Sequence, residues 1–233
     1  MKTQAIVPAA GVGKRFKSST PKIFISLHGK PVVYYSLNTL ERCAAVDSII
    51  LVGNKRYLKE LRGVVERFRF RKIKKIVSGG ARRADSVRAG LAQLDHNTTI
   101  VLVHDAARPL VTQKNILDSI KTAGRFGAAV VAVPVKPTIK VVNPKTKWVE
   151  RTLDRKVLWE IQTPQTFKRP LLEKAHKKFE SKEATDDAIL VEALGIRVKV
   201  VLGEYSNIKI TTQDDLVVAR AILGTRKRYA TLP

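Results

Sequence analysis

The sequence has 233 residues, of which 44% are hydrophobic, and a formal net charge of +24. This length is enough for one sizeable hydrophobic core, and the recurring apolar runs exclude a disordered chain. No apolar stretch reaches the roughly 18 residues of a membrane span, so we expect no membrane span. Because a strand is predicted within the first few residues, we also expect no signal peptide. The single cysteine, Cys43, cannot form an internal disulfide, so we expect a buried thiol in a reducing cytoplasm.

Residues 4–135 alternate between apolar strands and amphipathic helices. Strands are predicted at residues 4–9, 46–53, 72–80, 99–106 and 128–135. Helices are predicted at residues 31–43, within 55–75, at 84–94 and at 113–127. Because buried β-branched strands separated by helices are typical of parallel sheets, the pattern predicts an α/β, Rossmann-like fold. We expect a mostly parallel twisted sheet with helices on both faces.

A β-hairpin arm is predicted at residues 138–153, where TIKVVNPKTKWVERTL alternates around a turn-like NPKT. Its strands are too polar to be central, so it should project from the sheet. Beyond it, helices are predicted at 169–181 and 185–195, strands at 197–203 and 207–211, and a last helix from Thr212 as N-cap to Gly224. The whole chain, 1–233, is predicted to be a single domain that carries this arm.

The arm predicts a homodimer. An isolated hairpin is at best marginally stable in water, and its uncovered edges promote aggregation. Val141, Val142, Trp148 and Val149 give this hairpin apolar surface. The simplest partner is the same arm of a second chain, related by a twofold axis. The alternative is an arm folded onto its own domain as a lid.

The basic stretch at residues 55–75, KRYLKELRGVVERFRFRKIKK, has two interpretations. Arginines interleave with Phe68 and Phe70 as they do on nucleic-acid-binding surfaces, and the high net charge attracts polyanions. However, Leu58, Leu61 and Val65 follow a helical period, which favours an amphipathic helix with a solvated face. We therefore expect no specific nucleic-acid partner, and no membrane partner.

The loop after the first strand, within IVPAAGVGKRF at residues 6–16, has the composition of a phosphate-binding turn. A Walker loop requires four residues between its glycines and a hydroxyl after the lysine, whereas Arg15 follows Lys14 here. A dinucleotide fingerprint requires a third glycine where Phe16 stands. What remains is a glycine-rich turn that carries cations.

Polar clusters follow four predicted strands, at the edge of the sheet where α/β proteins bind ligands. They contain Arg15 and Lys22 near the first loop, the glycine pair of SGGARRADS, Asp105 and Arg108 in VHDAARP, and Asn207 and Lys209 in NIKIT. Glycines before a helix start favour anions, and a carboxylate at a strand end can hold Mg²⁺.

Each of these clusters also has an ordinary structural interpretation. The alternatives are a turn with surface cations, a helix start capped by Asp85, an Asp–Arg surface pair, and a solvated lysine on an edge strand. The sequence has no Ser–His–Asp set and no metal-ligand spacing among its histidines. Cations, amides and one Asp are suited to phosphoryl or nucleotidyl transfer, where catalysis is mostly positioning and charge stabilisation.

A series of motifs resembles the 2-C-methyl-D-erythritol 4-phosphate cytidylyltransferases. They are PAAGVGKRF with TPK, GGARRADSVRAGL, VHDAARP, PVKPTIK, VERTLDRKVLW, QTPQTF, TDDAILVEALG and NIKITTQDDL, in that order. The first is shared with many sugar-nucleotidyltransferases, whereas VHDAARP together with LDR…LW…QTPQ is much more specific. Ribitol-phosphate cytidylyltransferases are similar but usually read HDSVRP at that block, so ribitol 5-phosphate remains the alternative substrate.

The resemblance implies CTP and methylerythritol phosphate as substrates, Mg²⁺ as cofactor and a role for each matching residue. The triphosphate loop would be Ala9, Ala10, Gly11 and Gly13, and cytosine would contact Gly80 and Ser86. Arg15 and Lys22 would stabilise the transition state, and Arg155 and Lys209 would hold methylerythritol phosphate. Further substrate contacts would come from Asp105, which could instead bind the metal, and from Ala106, Arg108, Thr138 and Thr163. Arg155 and Thr138 could serve the partner's site.

Three positions depart from the family pattern: Ile23 replaces a common glutamine, Pro137 a usual aspartate and Arg82 a frequent acid. None of them removes a cation from the predicted reaction centre.

Overall fold

The computed structural model of the protein describes residues 1–11, 16, 20–181 and 183–230, with side chains up to residue 226. Its strands, in chain order, are β1 (Thr3–Ala9), β2 (Ser26–Leu27), β3 (Lys30–Pro31), β4 (Ser48–Gly53), β5 (Ile73–Ser78), β6 (Ile100–Val103), β7 (Ala128–Pro134), β8 (Lys140–Val142), β9 (Val149–Thr152), β10 (Trp159–Lys168) and β11 (Lys199–Leu202). Its α-helices are α1 (Val32–Glu41), α2 (Leu58–Arg67), α3 (Arg83–Leu91), α4 (Gln113–Phe126), α5 (Arg169–Lys178), α6 (Ala188–Glu192) and α7 (Gln213–Ala230). Short 3₁₀ helices cover Lys22–Phe24, Lys55–Tyr57 and Arg155–Val157.

The central sheet has seven strands in the order β11–β7–β10–β6–β1–β4–β5. All neighbours pair in parallel except β10, which runs antiparallel to both β6 and β7. The prediction of a mostly parallel sheet is confirmed. As predicted, β8 and β9 form a separate antiparallel hairpin.

Helices cover both faces of the sheet. Side chains of β1 alternate between two hydrophobic clusters, as expected for a strand buried on both sides. Ala5 and Val7 pack with residues of α1, α2 and α4, whereas Ile6 packs with residues of α3, α5 and α6. Cys43 is buried in the first cluster, as expected.

Two sequence predictions are wrong, and strand β10 and the two-residue strands β2 and β3 were not predicted. Residues 207–211 form an irregular loop rather than a strand, because Asn207 is buried and its side chain donates to the carbonyl of Thr163 at 2.9 Å. The last helix continues through Gly224 to Ala230, since one helical glycine costs only about 1 kcal/mol. Strand β10 was not predicted because its sequence, WEIQTPQTFK, is unusually polar for a central strand.

The basic stretch forms the amphipathic helix α2 and leads into β5. Leu61 is fully buried, and the rings of Phe68 and Phe70 pack against Tyr34, with centroid distances of 4.5 and 5.8 Å. These two rings therefore contribute to the core rather than to a base-stacking surface. Among the described residues, no helix is long and apolar enough to cross a bilayer.

Candidate active site

A cavity of about 350 Å³ opens at the carboxyl ends of four adjacent parallel strands, β1, β4, β5 and β6. Its wall contains the segments that follow these strands, together with Lys22 and Lys209. The lining residues are Pro8, Ala9, Ala10, Gly11, Lys22, Ile23, Asn54, Gly80, Ala81, Arg82, Arg83, Ser86, Asp105, Ala107 and Lys209. This is the position at which open α/β sheets bind ligands.

The β1 loop and the start of α3 approach each other closely at Gly79. A Cβ atom on this residue would lie 2.5 Å from Oγ of Ser86 and 2.9 Å from Cβ of Ala10. Any side chain at position 79 would therefore push the two walls of the cavity apart. Ser86 is 2% exposed and its hydroxyl is directed to the backbone oxygen of Arg82, so the first turn of α3 forms a tight wall.

Asp105 forms ion pairs with two cations at the bottom of the cavity. Its Oδ1 lies 3.1 Å from Nε of Arg83, and its Oδ2 lies 2.6 Å from Nζ of Lys209. Burial alone would raise the pKa of Asp105, but the charges of Arg83 and Lys209 lower it well below its usual range. Asp105 therefore stays ionised, and the surface pair with Arg108 that the sequence allowed is not formed.

The loop that carries Asp105 is fixed by a series of hydrogen bonds. The amide of Asp105 donates to Oγ1 of Thr163 at 3.1 Å, and this hydroxyl lies 3.0 Å from Nδ1 of His104. Nε2 of His104 lies 3.2 Å from the carbonyl of Arg108. Because a carbonyl only accepts, Nε2 carries the proton and Nδ1 accepts from Thr163. Burial lowers the pKa of His104 to about 4, which keeps the ring neutral.

The loop of residues 207–211 closes the other side of the cavity. Its Ile210 amide donates to the carbonyl of Ala107 at 2.8 Å, and its Ile210 carbonyl accepts from Nζ of Lys22 at 2.7 Å. Nη1 of Arg108 donates to the carbonyl of Asn207 at 2.6 Å. These bonds bring Lys22 beside the segment that carries Lys209.

Many of the residues predicted from the sequence meet in this cavity. They are Ala9, Ala10, Gly11, Lys22, Gly80, Ser86, Asp105 and Lys209. Three others, Ala106, Arg108 and Thr163, are buried behind the cavity wall. Thr138 and Arg155 are exposed and do not line the cavity of their own chain. Gly13 and Arg15 lie outside the described residues.

Sequence reasoning did not single out Asn54 and Arg83, which line the cavity, or Asp187 behind it. Asn54 lies at the end of β4 and donates to the carbonyl of Ala10 at 3.4 Å. Arg83 bridges Asp105 and Asp187, with its Nη1 2.7 Å from Oδ2 of Asp187. Asn54 could have been predicted as a site residue, because it directly follows a predicted strand. The pairing of Arg83 with Asp187 could not, because only the fold brings these residues together.

The three departures from the family pattern have different surroundings. Ile23 is 3% exposed and packs in the first hydrophobic cluster, so an apolar residue suits its position. Arg82 pairs with Asp85 at 2.8 Å. Pro137 is exposed just before the hairpin, and nothing in the structure explains it.

This fold, with a cation-lined cavity at its strand ends, defines an α/β protein that binds a phosphorylated small molecule. The family model of 2-C-methyl-D-erythritol 4-phosphate cytidylyltransferase matches residues 3–225. The chain belongs to this family, whose members are nucleotidyltransferases.

Individual relatives agree with this assignment over almost their full length. The 2-C-methyl-D-erythritol 4-phosphate cytidylyltransferase of Alkaliphilus metalliredigens (strain QYMF) is 46% identical, over 97% of this chain and 95% of the relative. The crystal structure of 4-diphosphocytidyl-2C-methyl-D-erythritol synthase from Anaerococcus prevotii DSM 20548 is similar, with a TM-score of 0.83 and 33% identity over 96% of this chain and 98% of that one. The cytidylyltransferase structure from Thermus thermophilus has a TM-score of 0.80 and 30% identity, over 96% of this chain and 100% of that one.

Proposed function

We propose that the strand-end cavity is the active site in which this enzyme transfers a cytidylyl group from CTP to 2-C-methyl-D-erythritol 4-phosphate. The products are 4-diphosphocytidyl-2-C-methylerythritol, an isoprenoid precursor, and pyrophosphate. One observation carries the proposal: Lys22 and Lys209, from distant parts of the chain, line the same cavity as the glycine loop and the start of α3.

CTP would occupy the part of the cavity between the β1 loop and α3. Backbone amides at Ala9, Ala10 and Gly11 suit a triphosphate, and cytosine would contact Gly80 and Ser86. The close contact at Gly79 supports this assignment, because it packs the β1 loop directly against the start of α3 beside Ser86. Gly13 and Arg15 are assigned to the triphosphate by their positions in the family motif.

The reaction joins a phosphate oxygen of methylerythritol phosphate to the α-phosphorus of CTP. As this P–O bond forms, the bond between the α-phosphorus and the bridging oxygen breaks, and pyrophosphate leaves with the electron pair. No general base is needed, because the attacking oxygen is already ionised. Lys22, held at its Nζ by the Ile210 carbonyl, would stabilise the added charge on the α-phosphate, with Arg15 in the same role.

Methylerythritol phosphate would bind at the Asp105 and Lys209 end of the cavity. Lys209 offers an ammonium for the phosphate, and Asp105 offers a carboxylate for hydroxyl groups of the substrate. Arg108, Ala106 and Thr163 would act here by holding the Asp105 loop, which their burial and hydrogen bonds support.

We propose that Mg²⁺ reaches this site on the triphosphate of CTP. Mg²⁺ in nucleotide sites is usually held by one or two carboxylates together with substrate phosphates, whose charge it offsets. Both oxygens of Asp105 already contact cations, at 3.1 and 2.6 Å. Within the described part of the chain, no group of three or more His, Cys, Asp or Glu residues could hold a metal. These side chains do not fit a metal site of their own, so we favour a substrate contact for Asp105.

The enzyme would work as a homodimer joined through the β-arm. Trp148 is 77% exposed and Val149 is 54% exposed, which is a large apolar surface for a two-stranded ribbon and argues against a lid packed on its own domain. Arg155 is exposed, and its Nη1 donates to the carbonyl of Lys136 at 3.0 Å. Arg155 and Thr138 would then complete the cavity of the partner.

We also propose a cytoplasmic location. The one cysteine is a buried free thiol, as is usual in a reducing compartment, and CTP is a cytoplasmic nucleotide. Fractionation of the source cells with an antibody against the chain tests this location.

Substrate choice tests the proposed reaction. Purified protein is incubated with CTP, Mg²⁺ and either methylerythritol phosphate or ribitol 5-phosphate, and pyrophosphate release is followed. We expect release with methylerythritol phosphate. Turnover with ribitol 5-phosphate alone would replace the proposed substrate, and no turnover with either would reject the reaction.

A further inference from the structure

A continuous chain of hydrogen bonds and ion pairs runs from the protein interior to the cavity. Nε2 of His176 donates to Oδ1 of Asp187 at 3.0 Å, and Oδ2 of Asp187 accepts from Nη1 of Arg83 at 2.7 Å. Nε of Arg83 donates to Oδ1 of Asp105 at 3.1 Å, and Oδ2 of Asp105 lies 2.6 Å from Nζ of Lys209. Each link uses a different atom, so the five side chains are connected in series.

The inner end of this chain is rigidly held. His176 and Asp187 are each 1% exposed. The amides of Asp187 and Ala188 both donate to Oε1 of Gln165, at 3.0 and 3.1 Å, so strand β10 fixes the start of α6. Two motifs, QTPQTF and TDDAILVEALG, thus meet behind the cavity through Gln165 and Asp187, neither of which has an assigned role so far.

Arg83 is the link between this fixed end and the cavity. Its guanidinium is shared between two carboxylates, and its Nη2 is buried with no hydrogen-bond partner among the described residues. The two carboxylates therefore set its orientation. Because one edge of the guanidinium is taken by Asp187, only Nε contacts Asp105, which leaves the second oxygen of Asp105 for Lys209.

The charges in this chain are balanced in pairs. Arg83 and Lys209 supply two positive charges, and Asp105 and Asp187 supply two negative charges. Without Asp187, Arg83 would have Asp105 as its one remaining carboxylate. The guanidinium edge released from Asp187 could then also bind Asp105 and would compete there with Lys209. The position of the Lys209 ammonium therefore depends on the contact between Arg83 and Asp187, which reaches Lys209 only through Asp105.

We infer that Arg83, anchored by Asp187 and His176, is a positioning residue for the methylerythritol phosphate end of the site. It fixes the Asp105 carboxylate and, through it, the Lys209 ammonium. This inference rests on the proposed function. The first turn of α3 faces CTP in the proposed function. The inference gives the same helix a second role, in the binding of methylerythritol phosphate.

The substitution Arg83→Lys tests this inference. Lysine keeps the charge but cannot reach two carboxylates with a planar fork. Misplacing a binding group by about 1 Å costs on the order of 10- to 100-fold in rate. We expect kcat/KM for methylerythritol phosphate to fall by about that factor, mainly through a higher KM, while the Kd for CTP from calorimetry stays within about twofold of wild type.

Arg88→Lys is the matched control. Arg88 lies on the same helix, has the same 21% side-chain exposure as Arg83 and pairs with Asp85 outside the cavity. It should match wild type in both measurements. If Arg83→Lys does not fold, Asp187→Asn, which keeps the side-chain volume, should give the same split between the two substrates.

The inference is overturned if the folded variant keeps the wild-type kcat/KM for methylerythritol phosphate. It is also overturned if the affinity for CTP falls by the same factor, since Arg83 would then support the whole cavity. An inactive wild-type protein would instead reject the proposed function, so the two failures are distinguishable.

Discussion

Replacing His104 with glutamine should make the folded protein less sensitive to acid. His104 is fully buried beside the active-site loop, where its Nδ1 lies 3.0 Å from Oγ1 of Thr163 and its Nε2 lies 3.2 Å from the carbonyl of Arg108. Burial lowers its pKa to about 4, although the Asp105 charge acts in the opposite direction. Protonation would place a charge in the interior and remove the acceptor for Thr163. The side-chain amide of glutamine can supply one donor and one acceptor in place of Nε2 and Nδ1 of His104, and it does not titrate.

The magnitude follows from the two pKa values. In the unfolded chain His104 should titrate near 6.5, and in the folded chain it titrates near 4. As the pH falls, the unfolded state binds the proton first, so stability is lost between about pH 6.5 and pH 4. A single site with these values loses about 2 kcal/mol of unfolding free energy between pH 7.5 and pH 5, and about 3 kcal/mol when titration is complete.

Urea unfolding of wild type and His104→Gln at pH 7.5 and pH 5, at equal ionic strength, measures this loss. The wild type should lose about 2 kcal/mol more than the variant. Groups common to both proteins cancel in the comparison. His96→Gln is the matched control, because His96 is exposed, and it should behave as wild type. Equal losses in wild type and His104→Gln would refute a buried neutral imidazole at this loop.

Three further predictions concern the cavity and the arm. Lys22→Ala should fold normally by circular dichroism but lose about 10²- to 10³-fold in turnover, or roughly 3–4 kcal/mol; near wild-type turnover would remove Lys22 from the reaction centre. Gly79→Ala should weaken CTP binding in calorimetry, because its Cβ would lie 2.5 Å from Oγ of Ser86, whereas Gly63→Ala, with open space around it, should not. Mixing inactive Arg155→Ala and Lys22→Ala chains should restore about a quarter of wild-type activity if arms exchange in random dimers. A chain that sediments as a monomer at assay concentration would contradict the shared site.

The sequence was sufficient for the parts of the fold that depend on local pattern. The apolar strands β1, β4, β6 and β7 and the hairpin of β8 and β9 follow from hydrophobic period and turn residues. The same argument predicted the edge of the sheet at which the cavity forms, because ligands lie beyond the carboxyl ends of parallel strands.

Features that depend on long-range polar contacts could not be predicted in this way. Strand β10 inserts Gln165 and Thr166 into the middle of the sheet, and both are buried, so its pattern is that of a loop. Its buried polar groups find partners from distant segments, such as the Gln165 bonds to the start of α6. The bridge from Arg83 to Asp187 has the same origin. Local sequence carries no signal for either.

A crystal structure of the protein with CTP tests the central claim most directly, because it locates the nucleotide within the fold. We predict the triphosphate against the amides of residues 9–11, cytosine between Gly80 and Ser86, and the α-phosphate within about 3.5 Å of Nζ of Lys22. Methylerythritol phosphate added to these crystals should bind beside Lys209. CTP bound outside the cavity, or with its α-phosphate remote from Lys22, would contradict the account.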